Sequence, residues 1–104
     1  MNVRDRFGQT ALRLAADRGH TDRVTALLAA PGLDVNAAAH NGLTALMLAA
    51  NGGHTETVTA LLAYPGVDIS AADGDGRTAR ALARARGHVR IASLLRADRR
   101  YSQL

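Results

Sequence analysis

Four histidines, nine acidic residues and thirteen arginines are the side chains through which this 104-residue chain could do chemistry. Three of the histidines, His20, His54 and His88, recur at an interval of 34 residues, each directly after a glycine. Imidazoles bind zinc well, but a zinc site needs three or four donors around one ion. Histidines one repeat apart along a stack lie too far from each other for that, and no cysteine or carboxylate cluster joins them. They read as loop-ordering residues. His40 stands outside the interval, at a predicted hairpin tip, where a contact role and plain solvent exposure are both open. Asp73-Gly74-Asp75-Gly76 has the opening residues of a calcium loop, but the oxygen cage also needs a third ligand, a later glycine and a bidentate glutamate. Thr78 falls where that glycine should be. Glu56 is the sole glutamate, with no second carboxylate placed for acid–base work, and no Ser-His-Asp set or glycine-rich phosphate loop is present. No catalytic residue, metal or cofactor is expected.

The histidine interval belongs to a longer repetition. Gly8-Gln9-Thr10-Ala11-Leu12 returns as Gly42-Leu43-Thr44-Ala45-Leu46 and again as Gly76-Arg77-Thr78-Ala79. A fixed period between about 20 and 50 residues marks a stacked-repeat architecture. Three units, about 3–36, 37–70 and 71–104, fill a single domain. In the first, Thr10 reads as an N-cap and Gly19 as the stop residue of a short helix. A second helix from Thr21 to about Ala30 places Val24, Leu27 and Leu28 on one face. Pro31-Gly32 breaks it, and Leu33-Asp34-Val35-Asn36 is expected to run extended into the next turn. Asn41-Gly42 and Asp75-Gly76 are hairpin dipeptides in which both positions favour positive φ, and Phe7-Gly8 occupies the same place. Such a helix pair cannot bury its apolar face alone, so the core forms only on stacking.

Composition agrees with this. Apolar residues make up 47% of the chain, yet the aromatics are only Phe7, Tyr64 and Tyr101, so Ala, Leu, Val and Ile must build the core. Cysteine is absent, which excludes disulfides and thiolate sites. No apolar run is long enough for a bilayer span, and the first residues do not open a signal peptide, so a soluble, cytoplasmic protein with no membrane partner is expected. The charge is uneven: residues 1–76 carry net −3 and residues 77–104 net +7, giving the chain its +4.

Asp5-x-x-Gly8-x-Thr10-Ala11-Leu12, Leu14-Ala15-Ala16, Gly19-His20, Leu27-Leu28 and Asp34-Val35-Asn36 resemble the ankyrin repeat, in three tandem copies over nearly the whole chain. The first two copies agree at 19 of 34 positions, too many in phase for a chance motif. The resemblance implies an all-α solenoid of antiparallel helix pairs with projecting β-hairpin loops. It further implies a non-catalytic module that grips a partner protein with the hairpin tips and the concave inner-helix side. By matching phase those positions are Arg6, Phe7, Gln9, Asp17 and Arg18, then His40, Asn41, Leu43, Asn51 and Tyr64, then Asp75, Arg77 and Arg86. Leu43 is expected to be exposed, and Phe7 and Tyr64 supply aromatic contact area. Arg13, Met47 and Ala81 stand where the family usually has a histidine that ties neighbouring repeats, so the resemblance puts the rigidity of the stack in question.

Leu12 and Leu46 become Arg80, Ala16 and Ala50 become Arg84, and Leu28 and Leu62 become Arg96 in the third copy. Apolar stacking positions turned polar read as a C-terminal cap. The first copy keeps Leu12, Leu14 and Val24 and lacks such a cap, which leaves a longer array or self-association through that repeat open. Two other readings stay open beside partner binding. One is inhibition of a partner enzyme by the same face. The other is binding of nucleic acid or an anionic surface by Arg77, Arg80, Arg84, Arg86, Arg90, Arg96, Arg99 and Arg100, against which stands the lack of aromatics among them.

Overall fold

A computed structural model describes the backbone of residues 3–100 and the side chains of residues 10–100. Among the described residues six helices follow one another: α1 (Val3–Arg18), α2 (Thr21–Leu28), α3 (Ala45–Asn51), α4 (Thr55–Leu62), α5 (Ala79–Ala85) and α6 (Val89–Ala97). Each repeat contributes one antiparallel pair, α1 with α2, α3 with α4, and α5 with α6. Across repeats α1, α3 and α5 pack side by side as an inner layer, and α2, α4 and α6 as an outer one. This is the stacked helix-pair solenoid that the period implied.

Local chemistry sets the helix ends. Thr44 and Thr78 sit in extended backbone and accept from the amides of Met47 and Ala81 at 3.4 and 3.2 Å, which satisfies a donor that the first turn leaves over. At the other end the amides of Gly53 and His54 return to the carbonyls of Ala50 and Ala49, a Schellman closure that needs the left-handed φ of +75° found at Gly53. The same pair of bonds closes the first and third repeats.

Two local expectations are corrected. Thr10 does not cap a helix: α1 starts at Val3 and runs through Phe7-Gly8-Gln9-Thr10, where a hairpin was expected. In the second repeat the turn amide of Leu43 is accepted by Asn41 Oδ1 at 3.1 Å, whereas Phe7, in the Asn41 position, has no acceptor to offer. Helical bonding satisfies the backbone instead. Nor does Leu33–Asn36 run fully extended. It bends at residues 35 and 36, held by Asp34 Oδ1, which accepts from Asn36 N at 3.0 Å.

The core is one continuous cluster through all three repeats. Leu12, Leu46, Met47, Leu61, Ile91 and Leu95 are fully buried, and Ala45, Ala49 and Ala50 let the inner helices approach closely. Among the described residues no helix is long and apolar enough to cross a membrane.

Candidate protein-binding face

Two hairpins project from the starts of α3 and α5. In the first, Gly42 N donates to Ala39 O at 2.9 Å and Ala39 N to Leu43 O at 3.1 Å; in the second, Gly76 N and Arg77 O make the equivalent pair with Asp73. This pattern is a tight turn followed by a left-handed glycine bulge. It corrects the expectation that both residues of each dipeptide take positive φ: among the described residues only glycines do, so Asn41 and Asp75 keep ordinary backbone. Gly74 N donates to Asn41 O at 2.9 Å and locks one hairpin onto the next.

The acidic run at the second hairpin is consumed by the turn itself. Asp73 is buried, its Oδ1 accepts from the amides of Asp75 and Arg77 at 2.9 Å each, and its Oδ2 from Arg77 Nε at 3.1 Å. These bonds, the Arg77 amide foremost, hold its carboxyl below the ordinary value. Asp98 is held low in the same sense, chiefly by its bond to the Arg100 side chain. Because both native values lie below the unfolded one, their contribution to stability is full above about pH 4 and is lost as the pH falls through the lowered values. Melting temperature measured from neutral to strongly acidic pH should therefore drop below that point, and less steeply in Asp73→Asn.

The candidate contact residues fall into three groups. Asp17 and Arg18 at the end of α1, Asn51 at the end of α3 and Arg86 just past α5 lie together on the inner layer, and Arg86 Nε donates to Asn51 Oδ1 at 3.2 Å. His40, Asn41 and Asp75 are exposed on the hairpins, and Arg77 is anchored there by Asp73 and Asp75. The third group is set apart. Leu43 is half-buried against the core rather than exposed, because the bulge turns its backbone inward to pair with Ala39. Tyr64 follows α4 in the outer layer and also packs on the core, so the fold separates it from the inner-layer residues. The side chains of Arg6, Phe7 and Gln9 lie outside the described residues.

The stack is tied together by side chains whose roles the sequence reading missed. His54 Nε2 donates to Asp17 O at 2.9 Å and His88 Nε2 to Asn51 O at 3.1 Å, so each loop histidine grips the preceding inner helix. Arg13, which stands where the family usually has its tying histidine and where no tie was expected, reaches Ala37 O at 3.2 Å. Asn36 donates to Gly66 O at 2.8 Å and accepts from Asp68 N at 2.7 Å, and Thr21 and Thr57 share a hydroxyl bond of 2.8 Å. The recurrence of the histidine was the one signal for these ties; the rest have no periodic counterpart. The histidine, asparagine and threonine bonds join neighbouring repeats at positions other than the one where the family usually has its histidine.

Arg77, Arg86 and Arg100 are among the arginines counted toward an anionic surface that have internal partners. The Arg100 guanidinium bridges both oxygens of Asp98 and the carbonyls of Leu62, Tyr64 and Val67. At the opposite end of the stack Leu14 is 49% exposed over a shallow groove with Ala11, Ala15 and Leu27. Among the described residues no group of three or more His, Cys, Asp or Glu could hold a metal ion.

No curated protein matches the chain. The family model described as "Ankyrin repeats (3 copies)" matches it over residues 1–73 and 23–102. Capped helix pairs, glycine-histidine turns and stacked hairpins at a constant period are the physical content of that match, and the chain belongs to the ankyrin-repeat family, whose members are in general protein–protein interaction modules.

Proposed function

We propose that this protein is a non-catalytic module that binds a partner protein through the hairpin tips and the ends of the inner helices. Arg18, His40, Asn51, Asp75 and Arg86 make the contacts, with Asp17 and Asn41 beside them. The observation that carries this reading is the lock between the two hairpins, Gly74 N on Asn41 O, together with the Arg86–Asn51 bond. A surface whose backbone is already held loses little freedom when a partner arrives, so more of its contact energy appears as affinity. The face offers both signs of charge and few apolar groups, which suits a folded, polar partner surface. The same supports are compatible with a cytoplasmic adaptor.

The test uses three exposed positions. A partner captured by the wild-type protein and identified should bind the triple variant Arg18→Glu/His40→Ala/Asp75→Ala at least about tenfold more weakly in calorimetric titration, since a few central residues usually dominate an interface. An outer-layer change, Arg90→Glu, should leave the affinity within about twofold. Equal binding by the triple variant and the wild type would show that this is not the contact face.

A further inference from the structure

Two of the asparagines, Asn41 and Asn51, are followed directly by glycine. Such a pair can react with itself, because a residue without a Cβ lets its main-chain nitrogen reach the asparagine Cγ. The glycine nitrogen gives its proton to hydroxide and bonds to Cγ; the Cγ–Nδ2 bond breaks, and the nitrogen takes a proton from water and leaves as ammonia. A second water then opens the cyclic imide on one of two sides. Opening at Cγ leaves aspartate in an ordinary main chain. Opening at the main-chain carbonyl leaves isoaspartate, whose chain runs on through Cγ and whose own carbonyl carbon has become a free carboxylate. Asn36 is a poorer candidate, since Ala37 follows it and its amide is held by Gly66 O and Asp68 N. Asp73-Gly74 and Asp75-Gly76 are poorer too, because a carboxylate, ionised at neutral pH, resists attack better than an amide does.

The fold treats the two Asn-Gly pairs differently. In each, the glycine amide already donates, Gly42 N to Ala39 O at 2.9 Å and Gly52 N to Leu48 O at 3.0 Å, so attack requires a local opening. At Asn51 that opening unwinds the end of α3. It breaks the returns of Gly53 N and His54 N to Ala50 O and Ala49 O, the Arg86 bond to Asn51 Oδ1 and the His88 bond to Asn51 O, and it disturbs Ala49 and Ala50, which are fully buried. Opening there approaches the cost of unfolding the whole domain. At Asn41 it breaks the Gly42–Ala39 bond, the bond from Leu43 N to Asn41 Oδ1 and the bond from Gly74 N to Asn41 O, at a tip whose residues 38–41 are all exposed. No buried side chain has to move.

We propose that Asn41-Gly42 is a site of spontaneous covalent modification, at which the folded protein loses ammonia through the cyclic imide and gains an isoaspartate that releases one hairpin from the next. The release follows from the connectivity. The carbonyl that accepts from Gly74 N leaves the main chain, and the chain at the tip becomes one carbon longer. The new carboxylate also adds a negative charge beside the hairpin that carries Asp73 and Asp75. The modification stands independently of the partner-binding reading.

Mass mapping of the protein incubated at mildly alkaline pH tests this, with electron-transfer fragmentation to tell isoaspartate from aspartate. In the folded protein Asn41 should convert at least about tenfold faster than Asn51. In concentrated guanidinium chloride, where both pairs are open, the two rates should come within about twofold of each other. The isoaspartyl form, separated by ion exchange, should melt roughly 5 °C below the unconverted protein. Asn41→Asp, which keeps the main-chain link, should melt within about 2 °C of it. The proposal is overturned by equal rates or faster conversion at Asn51 in the folded protein, by rates that differ as much in denaturant as in the fold, by no conversion at Asn41 over a period that converts the unfolded chain, or by an isoaspartyl form that melts with the unconverted protein.

Discussion

Gly42→Ala should lower folding stability by about 3 kcal/mol, whereas Gly76→Ala, at the same place one repeat later, should cost only about 1 kcal/mol. Both glycines hold left-handed backbone, with φ of +83° and +79°, so an alanine at either pays the strain of that region. Their surroundings differ. A Cβ on Gly42 would lie 2.9 Å from Asp73 Cα and from Gly74 N, whereas one on Gly76 would meet nothing within 4 Å. Backbone atoms cannot rotate aside, so the second hairpin must move off and the bond from Gly74 N to Asn41 O is lost with it. Chemical denaturation of the two variants isolates this contact. Equal losses would mean that the hairpins do not stack as described. Because a domain of this size has only about 5–15 kcal/mol in total, the Gly42 variant also tests whether the hairpins contribute to a cooperative fold.

Replacement of Arg100 by alanine should cost about 2–3 kcal/mol and lower the melting temperature by roughly 10 °C or more. Its Nη2 donates to Leu62 O at 2.7 Å and Asp98 Oδ2 at 2.8 Å, its Nε to Asp98 Oδ1 at 2.9 Å, and its Nη1 to Tyr64 O and Val67 O at 3.2 and 3.3 Å. Leu62 closes α4, so its carbonyl is among those a helix end leaves without an internal donor. One planar guanidinium thus caps the second repeat from the third. The Arg100 side chain is 31% exposed, and water would recover part of the loss, which is why the figure stays below that of a fully buried ion pair. Arg100→Lys should restore less than half, since an ammonium cannot fork across Asp98 and reach three carbonyls together. The exposed Arg90→Ala serves as reference and should change stability by less than about 0.5 kcal/mol. A comparable small loss at Arg100 would reduce the bridge to an ordinary surface pair.

These two sites differ in how far the sequence announces them. Gly42 is visible as part of Asn41-Gly42, and the repeated Gly-x-Thr-Ala segment places it before a helix. What hid was the neighbour, since Asp73 and Gly74 belong to the next repeat. Arg100 gave no signal at all. It lies 38 residues beyond Leu62 and 36 beyond Tyr64, and as one of eight arginines after Gly76 it resembled surface charge. Leu43 lies deeper than expected for a related reason: repeat phase assigns a position but not how deeply a side chain sinks. The inner-layer residues Asp17, Asn51 and Arg86 were legible because helix ends recur with the period.

The sequence by itself determined the helix pairs, their glycine-histidine closures and the threonine caps of α3 and α5, because each depends on bonds between residues no more than five apart. Tertiary structure decided what joins the pairs. His54 on Asp17, Gly74 on Asn41 and Arg100 on the end of α4 all span more than thirty residues, so the chain must stack before either partner finds the other. Even a local choice yielded to this: Thr44 caps a helix and Thr10 does not. The same triplet of residues folds differently where the turn before it has a side-chain acceptor and a neighbouring hairpin to hold it.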